Sequence, residues 1–204
     1  MIRWASQHLN IEIGLALRSD RWVSADYWQA AADPSLTLES ILERSEVVAV
    51  GIDGGGLDDL LGLAVLGRDR DTRQWLLWTH AWAHTSVLER RKSEAGIEGD
   101  DRVVGISQGW KLTSAIKGAE RRLADGTLFH AGQRLMAWCV GNAKVEPRGN
   151  AVMITKQASG TAKIDPLMAA FDAVTLMATN PEPKGGWSIY NDEDARPDGF
   201  LVLG

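Results

Sequence analysis

Three apolar runs, closely spaced between positions 47 and 84, restrict the fold of this chain more than any other stretch. Val47-Val48-Ala49-Val50-Gly51-Ile52-Asp53 leads into Gly54-Gly55-Gly56, a second run covers residues 60–67, Arg68-Asp69-Arg70-Asp71 intervenes, and a third run covers 74–84. Runs of this kind bounded by glycine and charged turns predict strands, and connections this short allow only antiparallel neighbours. A three-strand meander is therefore expected.

The flanks read differently. Residues 4–17 carry apolar positions at mixed helical spacing, Asp33-Pro34 marks a turn, and 37–43 is a short helix capped by Thr37. Residues 1–46 thus read as a helical lead-in set apart from the core. After the meander come a helix at 85–95, a polar loop at 96–101 and a short buried strand at 103–106. The amphipathic helix at 111–124 has Leu112, Ala115, Ile116, Ala119 and Leu123 on one face and stops at Asp125-Gly126. A helix at 135–140, a strand at 151–156 and a helix at 166–178 packing through Leu167, Phe171, Val174 and Met177 complete the core. A meander followed by alternating helix and strand indicates one mixed α/β sheet over 47–180, with 181–204 as a tail.

Composition excludes several classes. With 204 residues, 45% hydrophobic and 24% charged, the chain suits one globular domain. No run nears the roughly 20 apolar residues of a membrane span, and the first residues lack a secretory pattern, so a soluble cytoplasmic protein is expected. A single cysteine, Cys139, removes disulfides and cysteine-cluster metal sites. The net charge of -5 conceals a division: residues 102–163 hold 10 Lys+Arg against 3 Asp+Glu, whereas 1–101 hold 10 against 17 and 164–204 hold 2 against 7. A basic middle between acidic flanks suits a phosphate-contacting surface beside a cation-binding carboxylate cluster, although a solvated helix face would give the same count.

Gly51-Ile52-Asp53-Gly54-Gly55-Gly56-Leu57-Asp58-Asp59 places carboxylates at the end of an apolar strand and in the following loop, the hard oxygen donors that Mg²⁺ or Mn²⁺ requires. Asp-Gly is also an ordinary turn. In Lys163-Ile164-Asp165-Pro166, Asp165 reads as a helix N-cap with proline at the first helical position, a role compatible with ligation. His80, Trp82 and His84 alternate onto one strand face without a third zinc ligand nearby. No Walker A sequence or serine or cysteine nucleophile motif occurs, and the nine tryptophans read as core residues.

Taken together, Ser6-Gln7-His8-Leu9-Asn10, the segment 22–28, Gly51-Ile52-Asp53, Ser107-Gln108-Gly109-Trp110, Leu112-Thr113-Ser114-Ala115-Ile116-Lys117, Gly126-Thr127-Leu128-Phe129-His130, Trp138-Cys139-Val140-Gly141-Asn142 and Lys163-Ile164-Asp165 resemble the C-terminal nuclease half of tailed-phage terminase large subunits. The resemblance implies an RNase H-like mixed sheet, a meander plus parallel strand additions with flanking helices. It also implies a two-metal Mg²⁺ or Mn²⁺ endonuclease that cuts concatemeric double-stranded DNA during head packaging in the host cytoplasm. Portal or small terminase subunits are the implied protein partners. By position, Asp53 matches the first-strand metal ligand, Asp59 an auxiliary acid and Asp165 the ligand at the start of the last helix. The ATPase motor that precedes this part in intact members has no counterpart in these residues.

One departure bears on activity. The family carries a further strand-end Asp between the first helix and the strand that here is 103–106; this chain passes from Glu94-Ala95 directly to Gly96-Ile97-Glu98-Gly99-Asp100-Asp101, as after an internal deletion in a phage or prophage gene. Asp100 and Asp101 precede strand 103–106, so in a strand parallel to the first they fall at the opposite end of the sheet, about 3.3 Å per residue away. Glu94 is a weaker substitute. Impaired or absent cleavage is expected, with 103–106 moving in beside the first strand to close the gap and the fold left marginally stable. Lys111, Lys117, Arg121 and Arg122 are the candidates for DNA backbone contact. The rival expectations are a non-catalytic prophage remnant that binds DNA or a packaging protein, and an inert fragment.

Overall fold

The computed structural model describes residues 20–54, 60–82, 104–156 and 162–183. The expectations placed on residues 4–17, Asp59, His84, the helix 85–95, Glu94, Asp100, Asp101 and the tail beyond 183 lie outside these residues.

A short helix α1 (Ala25–Trp28) continues into a 3-10 turn, Gln29–Ala31. At Asp33-Pro34 the chain turns, with Asp33 Oδ1 accepting the Ser35 N–H at 3.0 Å. Helix α2 (Leu38–Arg44) then starts at the expected cap: Thr37 Oγ1 accepts the Ser40 N–H at 3.2 Å, and Ser40 Oγ accepts the Thr37 N–H at 2.9 Å. Two amide donors that a bare helix end would leave unpaired are thereby satisfied.

The meander forms as expected. Strands β1 (Ser45–Gly54), β2 (Leu61–Asp69) and β3 (Trp75–Trp82) pair antiparallel in sequence order, with Val50 opposite Val65 and Leu66 opposite Leu77. The central strand β2 is buried almost throughout, which is why it reads as a continuous apolar run. A fourth strand, β4 (Leu128–His130), joins β3 in parallel and completes the order β1-β2-β3-β4.

The parallel addition is therefore at the opposite edge from the one expected. Residues 104–106 form no strand, Val104 is 56% exposed, and among the described residues β1 pairs with β2 alone. Gly105 interrupts an already short run, whereas β4 is locked by backbone bonds from Trp75 N–H to Thr127 O at 2.9 Å and from Ala131 N–H to Leu77 O at 3.0 Å.

Helix α3 (Thr113–Ala124) follows a 3-10 turn at Gly109–Leu112, buries Ala115, Ile116, Ala119 and Leu123, and ends before Gly126, whose φ of 65° suits glycine. Helix α4 (Arg134–Asn142) leads into a hairpin of β5 (Ala143–Arg148) and β6 (Ala151–Lys156). This two-stranded sheet stands apart from the four-stranded one, correcting the expectation of a single sheet. Its strand β5 escapes sequence reading because Pro147 lies within it.

Helix α5 (Asp165–Ala178) lies on one face of the meander, its Phe171 edge-on to Trp22 at 5.3 Å. Trp22, Trp28 and Ile41 are fully or almost fully buried, so the described part of the lead-in, residues 20–46, is packed into the core and not apart from it. Trp22, Trp28 and Trp75 are core residues as expected, but Trp82, Trp110 and Trp138 are 43%, 59% and 45% exposed. Among the described residues, no helix is long and apolar enough to cross a membrane.

Candidate metal centre

The alternation of β1 sends Val48, Val50 and Ile52 to an exposed face and Ala49, Gly51 and Asp53 to the face that carries α5. Asp53 stands opposite Gly62, one rung before the strand ends. A Cβ at Gly62 would lie 2.6 Å from the backbone carbon of Asp165 and the nitrogen of Pro166, and one at Gly51 would lie 1.9 Å from the Ala169 carbonyl oxygen. Two glycines thus let α5 lie backbone-to-backbone on β1 and β2. Its first turn rests on the Asp53–Gly62 rung, so residues 112 positions apart in sequence meet there.

At the start of α5 the structure corrects one expectation. Ile164, not Asp165, is the N-cap: its carbonyl accepts the N–H groups of Leu167 and Met168 at 2.9 and 3.0 Å, and Asp165 is the first helical residue. A carboxylate in the first turn still complements the helix dipole. The turn is held by Asn142, whose Nδ2 donates to the Lys163 carbonyl at 3.0 Å. Asp165 is 7% exposed and close enough to Cys139 of α4 for its charge to act on the thiol, which burial first and that charge second push up to about 12. Cys139 is thus an inert core thiol, as expected.

A third carboxylate of this neighbourhood escaped the sequence reading. Asp172 is 5% exposed and accepts from Gln108 Nε2 at 3.0 and 3.3 Å on its two oxygens. Burial, and secondarily the charge of Asp53, raise it to about 7 against the opposing Gln108 hydrogen bond. The signal was present: an acid in the apolar run Ala169-Ala170-Phe171-Asp172-Ala173-Val174, seven residues and two helical turns after Asp165.

Among the described residues, no three His, Cys, Asp or Glu side chains converge closely enough to grip one ion. Asp53 and Asp165 nonetheless fit a magnesium-like cation, which takes one or two carboxylates and completes its shell with water. His80 is exposed and stacks on Trp78 at 5.7 Å, a surface aromatic pair.

The basic candidates divide. Lys111 and Arg121 are exposed, Lys117 is exposed and paired with Glu120 at 2.7 Å, and Arg122 lies 3.7 Å over the Trp75 ring. Burial lowers the Arg122 pKa, with the charge of Arg68 contributing.

This arrangement defines an RNase H-like α/β domain in which the backbone of Asp165 lies on the Asp53–Gly62 rung at one end of the sheet. Over 76% of its length the chain superposes on 43% of the HK97 bacteriophage large terminase, with a TM-score of 0.56 at 16% identity. The large terminase nuclease from thermophilic phage G20c, in a structure with bound magnesium, aligns over 78% of this chain and 98% of its own at TM-score 0.48 and 12% identity. No protein-family model and no curated sequence matches. In fold the chain is terminase nuclease-like, and it spans less than half the length of the HK97 protein.

Proposed function

We propose that this chain is a phage terminase large-subunit nuclease domain, a metal-dependent endonuclease of viral DNA packaging whose cleavage is impaired by the lack of one acid. The observation that supports this reading is the meeting of Asp53 and Asp165 at one rung, on a fold that is terminase nuclease-like. Asp53 and Asp165 would hold Mg²⁺ or Mn²⁺, with Asp59 as the auxiliary acid. A cation there supplies an activated water and stabilisation of the departing oxygen. In the reaction, the water oxygen bonds to phosphorus as the bond to the leaving oxygen breaks. Lys111, Lys117 and Arg121 would contact the backbone of double-stranded DNA without reading sequence. Portal or small terminase subunits are the proposed protein partners, host cytoplasm the proposed setting, and the proposed division is a lead-in at 1–46, a nuclease domain at 47–180 and a tail at 181–204.

A second reading, a non-catalytic DNA- or packaging-protein-binding remnant of a prophage terminase, is favoured by the lack of a three-carboxylate cluster among the described residues. Nicking of supercoiled plasmid separates the two. Under the first reading the chain nicks with Mn²⁺ or Mg²⁺ but not with EDTA, and Asp53→Ala abolishes the nicking. Absence of metal-dependent nicking by the folded chain supports the remnant.

A further inference from the structure

Of the two described histidines, His80 lies at the surface and His130 is only 3% exposed. The His130 ring is fixed at both nitrogens. Nδ1 accepts the Gly132 N–H at 3.1 Å and so carries no proton, which makes Nε2 the nitrogen that donates to the Trp28 carbonyl at 2.7 Å. The imidazole also stacks on the Trp28 indole, 3.9 Å between centroids and 14° between planes. The main chain of the same residue holds the lead-in as well: its carbonyl accepts the Asp33 N–H at 2.8 Å, and it bridges Ala32 in parallel. One residue of β4 thus clasps residues 28–33, and its ring does so only as a neutral imidazole.

A second proton would turn Nδ1 into a donor facing the Gly132 N–H, break that bond and bury a positive charge. Among the described residues no carboxylate bonds to the ring. On the elements around it, Asp26 pairs with Arg21, Asp33 accepts from Ser35, Glu120 pairs with Lys117 and Arg122 lies over Trp75. Tyr27, His80, Arg121 and Arg134 are exposed. Burial lowers the His130 pKa, against the opposing hydrogen bond to Trp28.

We propose that His130 is a proton-sensitive latch between the lead-in and the sheet: neutral, it clasps residues 28–33 to β4, and protonated, it lets them go. The released imidazole takes up a proton more readily than the clasped one. The clasp is therefore at full strength above pH 6.5 and weakens as pH falls from there. Asp172 titrates with the opposite sign over part of the same range, so the readout has to be local.

The test is amide hydrogen exchange on the full chain, resolved by NMR and corrected for the intrinsic pH dependence of exchange. The Asp33 amide, bonded to His130, and the Leu36 amide, bonded to Asp33, report the clasp. Their protection is expected to fall severalfold, at most about tenfold per pH unit for a single proton, between pH 6.5 and about 5.5, while the β1–β2 ladder keeps its protection. His130→Gln keeps a donor towards Trp28 but takes no proton, and is expected to show no such fall. Unchanged protection in the parent, an equal fall in His130→Gln, or an equal fall throughout the β1–β2 ladder overturns the inference. A second reading needs no variant: ¹⁵N spectra of the parent, with His130 identified by its contact to the Gly132 amide, are expected to show a neutral ring protonated on Nε2 at about pH 7. A ring protonated on Nδ1, or on both nitrogens, overturns the latch.

Discussion

Asp69 and Asp172 are both nearly buried acids, yet they are displaced in opposite directions. Asp69 accepts the backbone N–H groups of Thr72 and Asp71 at 2.9 and 3.0 Å and the Arg44 guanidinium, and is held down at about 2. Its contribution is present above the unfolded value of 3.8 and is lost as pH falls from there towards 2. Asp172 is raised to about 7, so the unfolded chain loses its proton first, and stability declines as pH rises from 3.8 to 7. Asp172→Asn should therefore be more stable than the parent at pH 8, by up to roughly 4 kcal/mol, with the gap closing below pH 4. Urea unfolding across pH checks this, and a gap that persists at pH 3.5 contradicts it.

Between elements, the decisive contact is α5 on the β1–β2 pair. Gly62→Ala forces a methyl against the Asp165 and Pro166 backbone, which has no rotamer through which to yield. A loss of about 2–3 kcal/mol is expected from such overpacking, together with weaker Mn²⁺ binding because the first turn of α5 is lifted from Asp53. Gly118→Ala is the internal control: it is a helix-interior glycine of α3 with nothing near its would-be Cβ, so it should stabilise by about 0.5–1 kcal/mol. Denaturant unfolding of both variants reads the two signs. The other end of α5 is tied to the same pair, since Arg68 of β2 donates to Asn180 Oδ1 at 2.6 Å and to the Pro181 carbonyl at 2.7 Å.

For the whole molecule, the charge division matters more than the net value. If the basic middle region contacts DNA, replacing Lys111, Lys117 and Arg121 by alanine should flatten the dependence of log affinity on log salt by about one unit per residue removed. Arg122→Ala should instead lower thermal stability and leave the slope alone, because its guanidinium is committed to Trp75. Filter binding over a salt series distinguishes these. An unchanged slope for the triple variant rejects the assignment.

The local elements were legible in the sequence. The meander, the Thr37 cap, the face of α3 and the stop at Gly126 all depend on neighbours within a turn or a rung, where period and propensity act directly. Asp53 and Asp165 could be singled out in the same way, as acids at element ends. Their meeting could not, because it depends on Gly51 and Gly62 having no side chain where α5 crosses, a fact about two elements and not about either one. The same holds for β4, which joined the sheet at the edge away from β1, and for Arg122, whose guanidinium lies over the Trp75 ring. Asp172 shows the limit most clearly: the sequence determined that an acid lay in an apolar helix, but only the packing of that helix on β1 decided that it would be buried beside Asp53, since burial and charge proximity exist only once distant segments are brought together.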